Sequence, residues 1–164
     1  MIIYLKNKHT LEVDDFKFRC SIGKNGKSKK KKEGDKKTPI GYFSIENLYY
    51  RDDKVEKPET NLKVIKIKKD MAWCDDINNE KLYNKITTVN HKINSEKLFR
   101  NDYKYDYFIP IRYNWENPKI PKGSAIFLHL TKNYKPTNGC IALLKKDFLI
   151  LLKLIKKNTK IKIL

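Results

Sequence analysis

The sequence contains no long hydrophobic run, since no apolar segment approaches the roughly 20 residues that a membrane-spanning helix needs. Its first residues, MIIYLKNKHTLEVDDF, also lack the apolar stretch and the small-residue cleavage site of a signal peptide. We therefore expect no transmembrane segment and no visible export signal. Apolar residues nevertheless make up 40% of the 164, and aromatic residues 12%, which is too much for a disordered chain.

Cysteine and histidine are scarce, with three residues of each: Cys20, Cys74, Cys140, His9, His91 and His129. No two cysteines have C-x-x-C spacing and no two histidines have H-x-x-x-H spacing, so we expect no metal site. The odd number of cysteines leaves at least one thiol free in a monomer. Nothing in the sequence calls for an organic cofactor.

Arginine is also rare, because only four of the 37 basic residues are arginines although the net charge is +18. Proteins that read nucleic-acid bases depend on the planar fork of arginine, whereas lysine acts as a point charge. We therefore expect no specific nucleic-acid partner. The charge still favours weak attraction to anionic polymers, of which cell wall is one.

The apolar pattern predicts a mostly β fold (α+β) in one domain over residues 1–164. Period-two alternation or short apolar runs predict strands near 2–5, 11–20, 42–45, 64–68, 108–114, 125–130 and 159–164. The strand at 125–130 is nearly all apolar and is expected to be central, and Pro110 suggests an edge or bulge position. Residues 23–39, rich in lysine and glycine, are expected to form a loop. Residues 70–105 are expected to be irregular, with a short helix at most.

One amphipathic helix is predicted near residues 145–157. Phe148, Leu151, Leu152 and Ile155 follow the i, i+3, i+4, i+7 spacing of one helix face. Lysines at its end suit the helix dipole.

The segment 123–143, GSAIFLHLTKNYKPTNGCIAL, holds the strongest candidates for chemistry. His129 lies near the end of a predicted strand, and Cys140 follows a polar loop eleven residues later. A cysteine nucleophile needs a nearby base or cation, which His129 supplies on a neighbouring strand. Gly139 permits close approach of a substrate, and the amides near Gly139 and Cys140 are candidates to bind an oxyanion. A lone histidine and a lone cysteine beside apolar segments are also common packing residues.

Several segments together resemble the L,D-transpeptidase catalytic-domain family of the YkuD type. They are KEGDKKTPIG at 32–41, WCDD at 73–76, YN at 83–84 and at 113–114, GSAIFLH at 123–129, and PTNGCIAL at 136–143. They run in the family's order over nearly the whole chain. The resemblance implies an L,D-transpeptidase-like β-sandwich in which the predicted helix lies near the C-terminus.

Carried over by position, the resemblance makes Cys140 the nucleophile and His129 the general base and acid. Asn138 and Gly139 would supply the backbone amides of the oxyanion site, and Thr137 takes the family's Ser/Thr position. Candidate substrate contacts are Trp73, Tyr113, Asn114 and Thr137. Two positions depart from the family pattern, because Asn138 replaces a second histidine and Ala142 replaces an arginine.

The implied function is cysteine acyl transfer on peptidoglycan stem peptides through a thioester, with Cys140 as an imidazolium-paired thiolate of lowered pKa. An L,D-carboxypeptidase-type hydrolase on the same site is one alternative. A non-catalytic basic module that binds wall or nucleic acid is the other. The resemblance implies the cell envelope or periplasm, whereas the lack of a visible signal peptide leaves the cytoplasm open. The expected partner is peptidoglycan or a muropeptide, bound by a monomer.

Overall fold

The computed structural model describes residues 1–29 and 31–164, and this part of the chain forms fifteen short strands and one α-helix. One five-stranded sheet has the order β3-β2-β1-β15-β6. Its strands are β1 (Ile2–Leu5), β2 (Thr10–Val13), β3 (Phe16–Arg19), β6 (Gly41–Ser44) and β15 (Lys160–Ile163). The C-terminal strand β15 pairs in parallel with β1 and antiparallel with β6, so it lies inside the sheet.

A second five-stranded sheet has the order β14-β13-β12-β7-β8. Its strands are β7 (Leu48–Tyr50), β8 (Val64–Lys66), β12 (Tyr107–Pro110), β13 (Phe127–Thr131) and β14 (Ile141–Leu144). The expected central position of the apolar strand is confirmed, because β13 lies between β12 and β14 and is buried along its whole length. Of the expected edge or bulge position at Pro110, the edge is wrong, whereas the bulge agrees with the register, which shifts by one residue between the Tyr49–Phe108 pair and the Ile45–Ile111 bridge. Pro110 ends β12, which lies inside the sheet, and its carbonyl accepts a hydrogen bond from the Glu46 amide at 2.9 Å.

The main core lies between these two sheets, as the predicted β-sandwich requires. Alternation directs Ile3 and Leu5 of β1 into this core, and Leu128 and Leu130 of β13 meet them from the other sheet. The helix α1 (Lys145–Leu154) adds Phe148, Leu151 and Leu152, each fully buried. Its predicted apolar face is correct, but α1 ends three residues before the predicted limit. Ile155 is extended there and Lys156–Lys157 follow outside the helix.

A three-stranded sheet covers the opposite face of the second large sheet. Its order is β10-β9-β11, with β9 (Met71–Cys74), β10 (Ile86–Thr88) and β11 (Ser95–Lys97). The prediction of irregular structure over 70–105 is therefore wrong in this part. The strands are only three or four residues long, and tertiary pairing rather than alternation determines them. Trp73 and Leu98 pack here with Phe108 and Phe127 of the large sheet, forming a second apolar cluster.

The lysine-rich segment 23–39 is more ordered than a loop. It contains the parallel pair β4 (Lys27–Ser28) and β5 (Thr38–Pro39). Within it the Lys31 side chain is only 4% exposed and forms an ion pair with Asp35. Lys30 of the same lysine run lies outside the described residues.

None of the helices in the described part of the chain is long and apolar enough to cross a membrane.

Candidate active site

Strand alternation brings His129 and Cys140 to one face of the second large sheet. On β13, Leu128 and Leu130 point into the main core, so Phe127 and His129 point away from it. Strand β14 runs parallel to β13, with Ala142 opposite His129, and Cys140 directly precedes β14. Both side chains therefore reach the face that the three-stranded sheet only partly covers.

A cavity of about 800 Å³ opens on this face and is lined by both Cys140 and His129. Thr137, Asn138 and Ala142 also line it. Its charged lining has both signs: Glu33, Asp75, Glu96, Lys36, Arg100, Lys104 and Lys135. Cys20 and Cys74 are buried in the protein and do not line it. Access to the cavity therefore distinguishes Cys140 from the other two thiols.

The Cys140 thiol is held by two backbone groups. It donates a hydrogen bond to the Ala125 carbonyl at 3.3 Å and accepts one from the Phe127 amide, also at 3.3 Å. Cys140 is 8% exposed, and burial raises the pKa of its thiol to about 12. The expectation of a thiol with a lowered pKa is therefore wrong, because desolvation outweighs the neighbouring groups that favour the thiolate.

The His129 imidazole is also buried, and burial lowers its pKa to about 4. Its Nδ1 lies 2.9 Å from the Leu130 carbonyl oxygen. Because a carbonyl only accepts, Nδ1 carries the proton of the neutral ring, and the lone pair is on Nε2. The ring of Tyr105 packs edge-on against the imidazole, with 5.5 Å between the ring centroids. His129 is thus arranged as a neutral base at neutral pH.

The turn before Cys140 is built by Thr137 and Gly139. The Thr137 hydroxyl donates to the Cys140 carbonyl at 2.6 Å and accepts from the Gly139 amide at 3.1 Å. Gly139 has φ 137°, and a Cβ there would lie 3.0 Å from the Lys37 carbonyl oxygen, so only glycine fits without strain. The Gly139 amide is therefore already bonded. Within residues 1–29 and 31–164, the amides of Asn138 and Cys140 donate to no protein acceptor. Unlike the Gly139 amide, they therefore remain available to a bound ligand.

The sequence model of the YkuD family, described as the L,D-transpeptidase catalytic domain, matches residues 1–163. The chain belongs to this family. No curated protein gives a match.

Two solved structures share the fold, both of the helical cell shape determining protein Pgp2 from Campylobacter jejuni. The first is 16% identical with a TM-score of 0.53. The second, a K307A mutant, is 15% identical with a TM-score of 0.54. Each comparison covers 99% of this chain but only 46% of the Pgp2 chain, so this YkuD chain spans about half of that protein.

Three of the four expected substrate contacts lie outside the cavity of this YkuD domain. Trp73 is 2% exposed and donates from Nε1 to Asn84 Oδ1 at 3.0 Å. The Tyr113 hydroxyl donates to the Lys122 carbonyl, and Asn114 Nδ2 donates to the carbonyls of Lys119 and Gly123. These side chains therefore hold the protein's own loops, and of the expected contacts only Thr137 lines the cavity.

The Asn84 side chain holds the backbone next to the site through four hydrogen bonds, a role that the sequence analysis did not predict. Its Oδ1 accepts from Trp73 Nε1 and from the Ala125 amide, and its Nδ2 donates to the carbonyls of Tyr113 and Asn114. Its φ of 57° is a conformation that asparagine tolerates better than most residues. Asn84 therefore places Ala125, whose carbonyl accepts the Cys140 thiol.

Among the described residues, no three side chains of His, Cys, Asp or Glu are arranged to hold a metal ion. The cavity lining combines the Cys140 thiol and the His129 imidazole with the charged side chains named above.

The burial of neutral His129 makes the free energy of unfolding depend on pH. The unfolded histidine binds a proton near pH 6.5, whereas the folded one does so near 4, so stability falls as the pH drops through this window. Between pH 7 and pH 4 we expect a loss of about 3 kcal/mol from this residue. Urea unfolding of wild type and His129→Gln at several pH values measures it.

The matched control for this prediction is His91→Gln, because His91 is exposed. It should follow the wild-type curve, whereas His129→Gln should be less sensitive to pH over this range. Parallel curves for wild type and His129→Gln would contradict the buried neutral imidazole.

Proposed function

We propose that this chain is a cysteine acyltransferase that acts on peptidoglycan stem peptides through a thioester acyl-enzyme. The observation that carries the proposal is that His129 on β13 and Cys140, directly before the parallel neighbour β14, lie on the same face of the sheet and line one cavity. Membership of the YkuD family supports the substrate class. The shared fold with a cell shape determining protein supports a role in cell wall biogenesis and cell shape.

The first half-reaction forms the thioester. The substrate carbonyl enters beside Cys140, and the sulfur attacks its carbon while the thiol proton moves to His129 Nε2. The free amides of Asn138 and Cys140 bind the oxygen as it becomes negative. When the intermediate collapses, the C–N bond breaks and the imidazolium returns its proton to the departing amine.

The second half-reaction releases the acyl group. An acceptor amine or a water molecule loses a proton to neutral His129 as it attacks the thioester carbon, and the proton then returns to the departing Cys140 sulfur. An amine acceptor gives a cross-linked or attached product, and water gives carboxypeptidase-like trimming. The same residues serve both outcomes, so access of the acceptor to the cavity decides between them.

The resting pair in this mechanism is a neutral thiol and a neutral imidazole. Burial of both side chains disfavours the thiolate–imidazolium pair in the empty cavity. Ionisation of the sulfur therefore accompanies the attack on the bound carbonyl instead of preceding it. The cell envelope is the proposed site of action, because the family's substrate is there, and the net charge of +18 would hold the chain close to an anionic wall.

Mass spectrometry of the intact protein incubated with a disaccharide tetrapeptide tests the proposal. We expect an acyl adduct on the peptide that contains Cys140, together with release of the terminal amino acid. A cross-linked muropeptide among the products would identify transpeptidation, and a disaccharide tripeptide would identify hydrolysis. His129→Gln should form the adduct at least about a hundredfold more slowly.

The control protein is Cys20→Ala, which removes a buried thiol outside the cavity and should form the adduct like wild type. If the wild-type protein binds the muropeptide but yields neither an adduct nor a product, the non-catalytic wall-binding alternative replaces this proposal. If it binds nucleic acid instead, with an affinity that falls steeply as the salt concentration rises, the nucleic-acid alternative replaces this proposal.

A further inference from the structure

A carboxylate lines the cavity that holds the Cys140 thiol, in a chain whose net charge is +18. Glu96 belongs to β11, where it pairs with Trp73 of β9, and its side chain is 31% exposed. It lines the same cavity as Cys140 and His129. The mechanism above leaves it without a role.

Glu96 is held in position by two neighbours that act on one of its oxygens. The buried Tyr105 hydroxyl donates to Oε1, and Arg100 Nη1 lies 3.8 Å from the same oxygen. The second oxygen, Oε2, has no hydrogen-bond partner within the described part of the chain. The carboxylate is thus anchored on one side and has a free acceptor on the other.

Tyr105 connects this carboxylate to the candidate catalytic residues. Its ring packs edge-on against His129 at 5.5 Å and against Phe127 at 5.7 Å, and the Phe127 amide donates to the Cys140 sulfur. Tyr105 and Cys140 belong to one buried cluster. The position of Glu96 relative to the thiol is therefore set by packed aromatic rings.

The charge of Glu96 is only partly balanced. Its cationic neighbour Arg100 forms a two-bond contact with Asp102, through Nε at 2.9 Å and Nη2 at 2.6 Å, so that guanidinium is shared. Asp75 adds a second negative charge near Glu96, and Lys104 adds a positive one. The charged or titratable groups near the thiol are His129, which lines the same cavity, and Glu96, Tyr105, Lys31 and Lys104. Burial is the main cause that raises the pKa of the Cys140 thiol, and the negative charge of Glu96 raises it further.

We propose that Glu96 is a specificity-determining residue that couples the charge of the bound substrate to the reactivity of Cys140. In the empty cavity burial keeps Cys140 protonated, and the negative charge of Glu96 disfavours its thiolate further. A primary ammonium group of the substrate, which offers three donors and one positive charge, pairs with Oε2 and cancels this effect. The thiol proton then moves more readily to His129 Nε2 as the sulfur attacks. This coupling rests on the proposed function, since it takes Cys140 as the nucleophile.

The test measures alkylation of Cys140 by iodoacetamide from pH 6 to pH 10, with the modified peptide identified by mass spectrometry. The proteins are wild type, Glu96→Gln, Glu96→Asp and Glu116→Gln, the last being an exposed glutamate paired with Arg112. At pH 8 we expect Glu96→Gln to react at least about threefold faster than wild type, with its pH profile shifted to lower pH. Glu96→Asp keeps the charge and should, like Glu116→Gln, stay within about twofold of wild type.

The second arm uses n-butylammonium as the probe and n-butanol as its uncharged counterpart, at equal ionic strength. The amine should accelerate alkylation of wild type in a saturable way, by at least about twofold, and should leave Glu96→Gln unchanged. An unshifted pH profile for Glu96→Gln overturns the proposal, and so does equal acceleration of both proteins by the amine. If Glu96→Gln does not fold, the wild-type protein alone still tests the proposal. Equal rates of Cys140 alkylation with n-butylammonium and with n-butanol would overturn the coupling.

Alkylation needs no acyl substrate, so the two proposals can fail separately. A missing acyl adduct with the expected alkylation profiles would reject the acyltransferase function but leave the Glu96 effect on the thiol. An acyl adduct together with unshifted pH profiles of alkylation would support the acyltransferase function and reject the Glu96 effect on the thiol.

Discussion

Cys140→Ser is expected to lower acyl-transfer turnover at least about a thousandfold. The serine hydroxyl is far less acidic than a thiol, and its oxygen is a weaker nucleophile at a site built for a sulfur that ionises as it attacks. His129 has a pKa lowered to about 4, so it is too weak a base to compensate. Release of the terminal amino acid from a disaccharide tetrapeptide gives the rate.

The same substitution should leave the midpoint of thermal unfolding within about 2 °C of wild type. The volume change is small, and a serine hydroxyl can keep both hydrogen bonds of the sulfur, to the Ala125 carbonyl and from the Phe127 amide. Cys20→Ala is the control, since it should keep wild-type turnover per folded molecule. Turnover of Cys140→Ser near the wild-type value would remove Cys140 from the mechanism.

Asn84→Ala is expected to lower the free energy of unfolding by about 3–5 kcal/mol. The substitution removes four hydrogen bonds in a residue that is 4% exposed. It leaves the buried Trp73 Nε1 and the Ala125 amide without their acceptor, and alanine also tolerates the φ of 57° less well than asparagine. Urea unfolding followed by tryptophan fluorescence measures the loss.

The variant should also react more slowly under conditions in which it is folded, because Ala125 loses the contact that places its carbonyl beside the thiol. Asn61→Ala is the matched control, since Asn61 is exposed and should change stability by less than about 0.5 kcal/mol. An Asn84→Ala protein as stable as Asn61→Ala would show that the four bonds are replaced by others.

Local pattern was informative where a strand or helix has one buried face. The alternation in β1 and β15 and the apolar spacing in α1 were visible in the sequence, because each element buries its own regular set of residues. The pattern failed over residues 70–105. There, β9 buries Ala72, Trp73 and Cys74 in succession, since one face covers the large sheet and both edges are paired.

The candidate site divides in the same way. The sequence alone identified His129, Cys140 and the Thr137–Gly139 turn, because these residue types are chemically distinctive and lie close together along the chain. It could not show that Glu96 lines the cavity or that Asn84 holds Ala125, because Glu96 and Asn84 are distant along the chain from the segment that contains His129 and Cys140. It also assigned Trp73, Tyr113 and Asn114 to the substrate, although they bond to the protein itself.

What the sequence determined by itself was the family, the mostly β architecture and the identity of the thiol–imidazole pair as a proposal. The protonation of that pair was decided only by the tertiary structure. Spacing along the chain suggested that His129 would favour a Cys140 thiolate, but the folded protein buries both side chains. Desolvation then penalises each charged form, and a residue's burial depends on elements from the whole chain that no local motif contains.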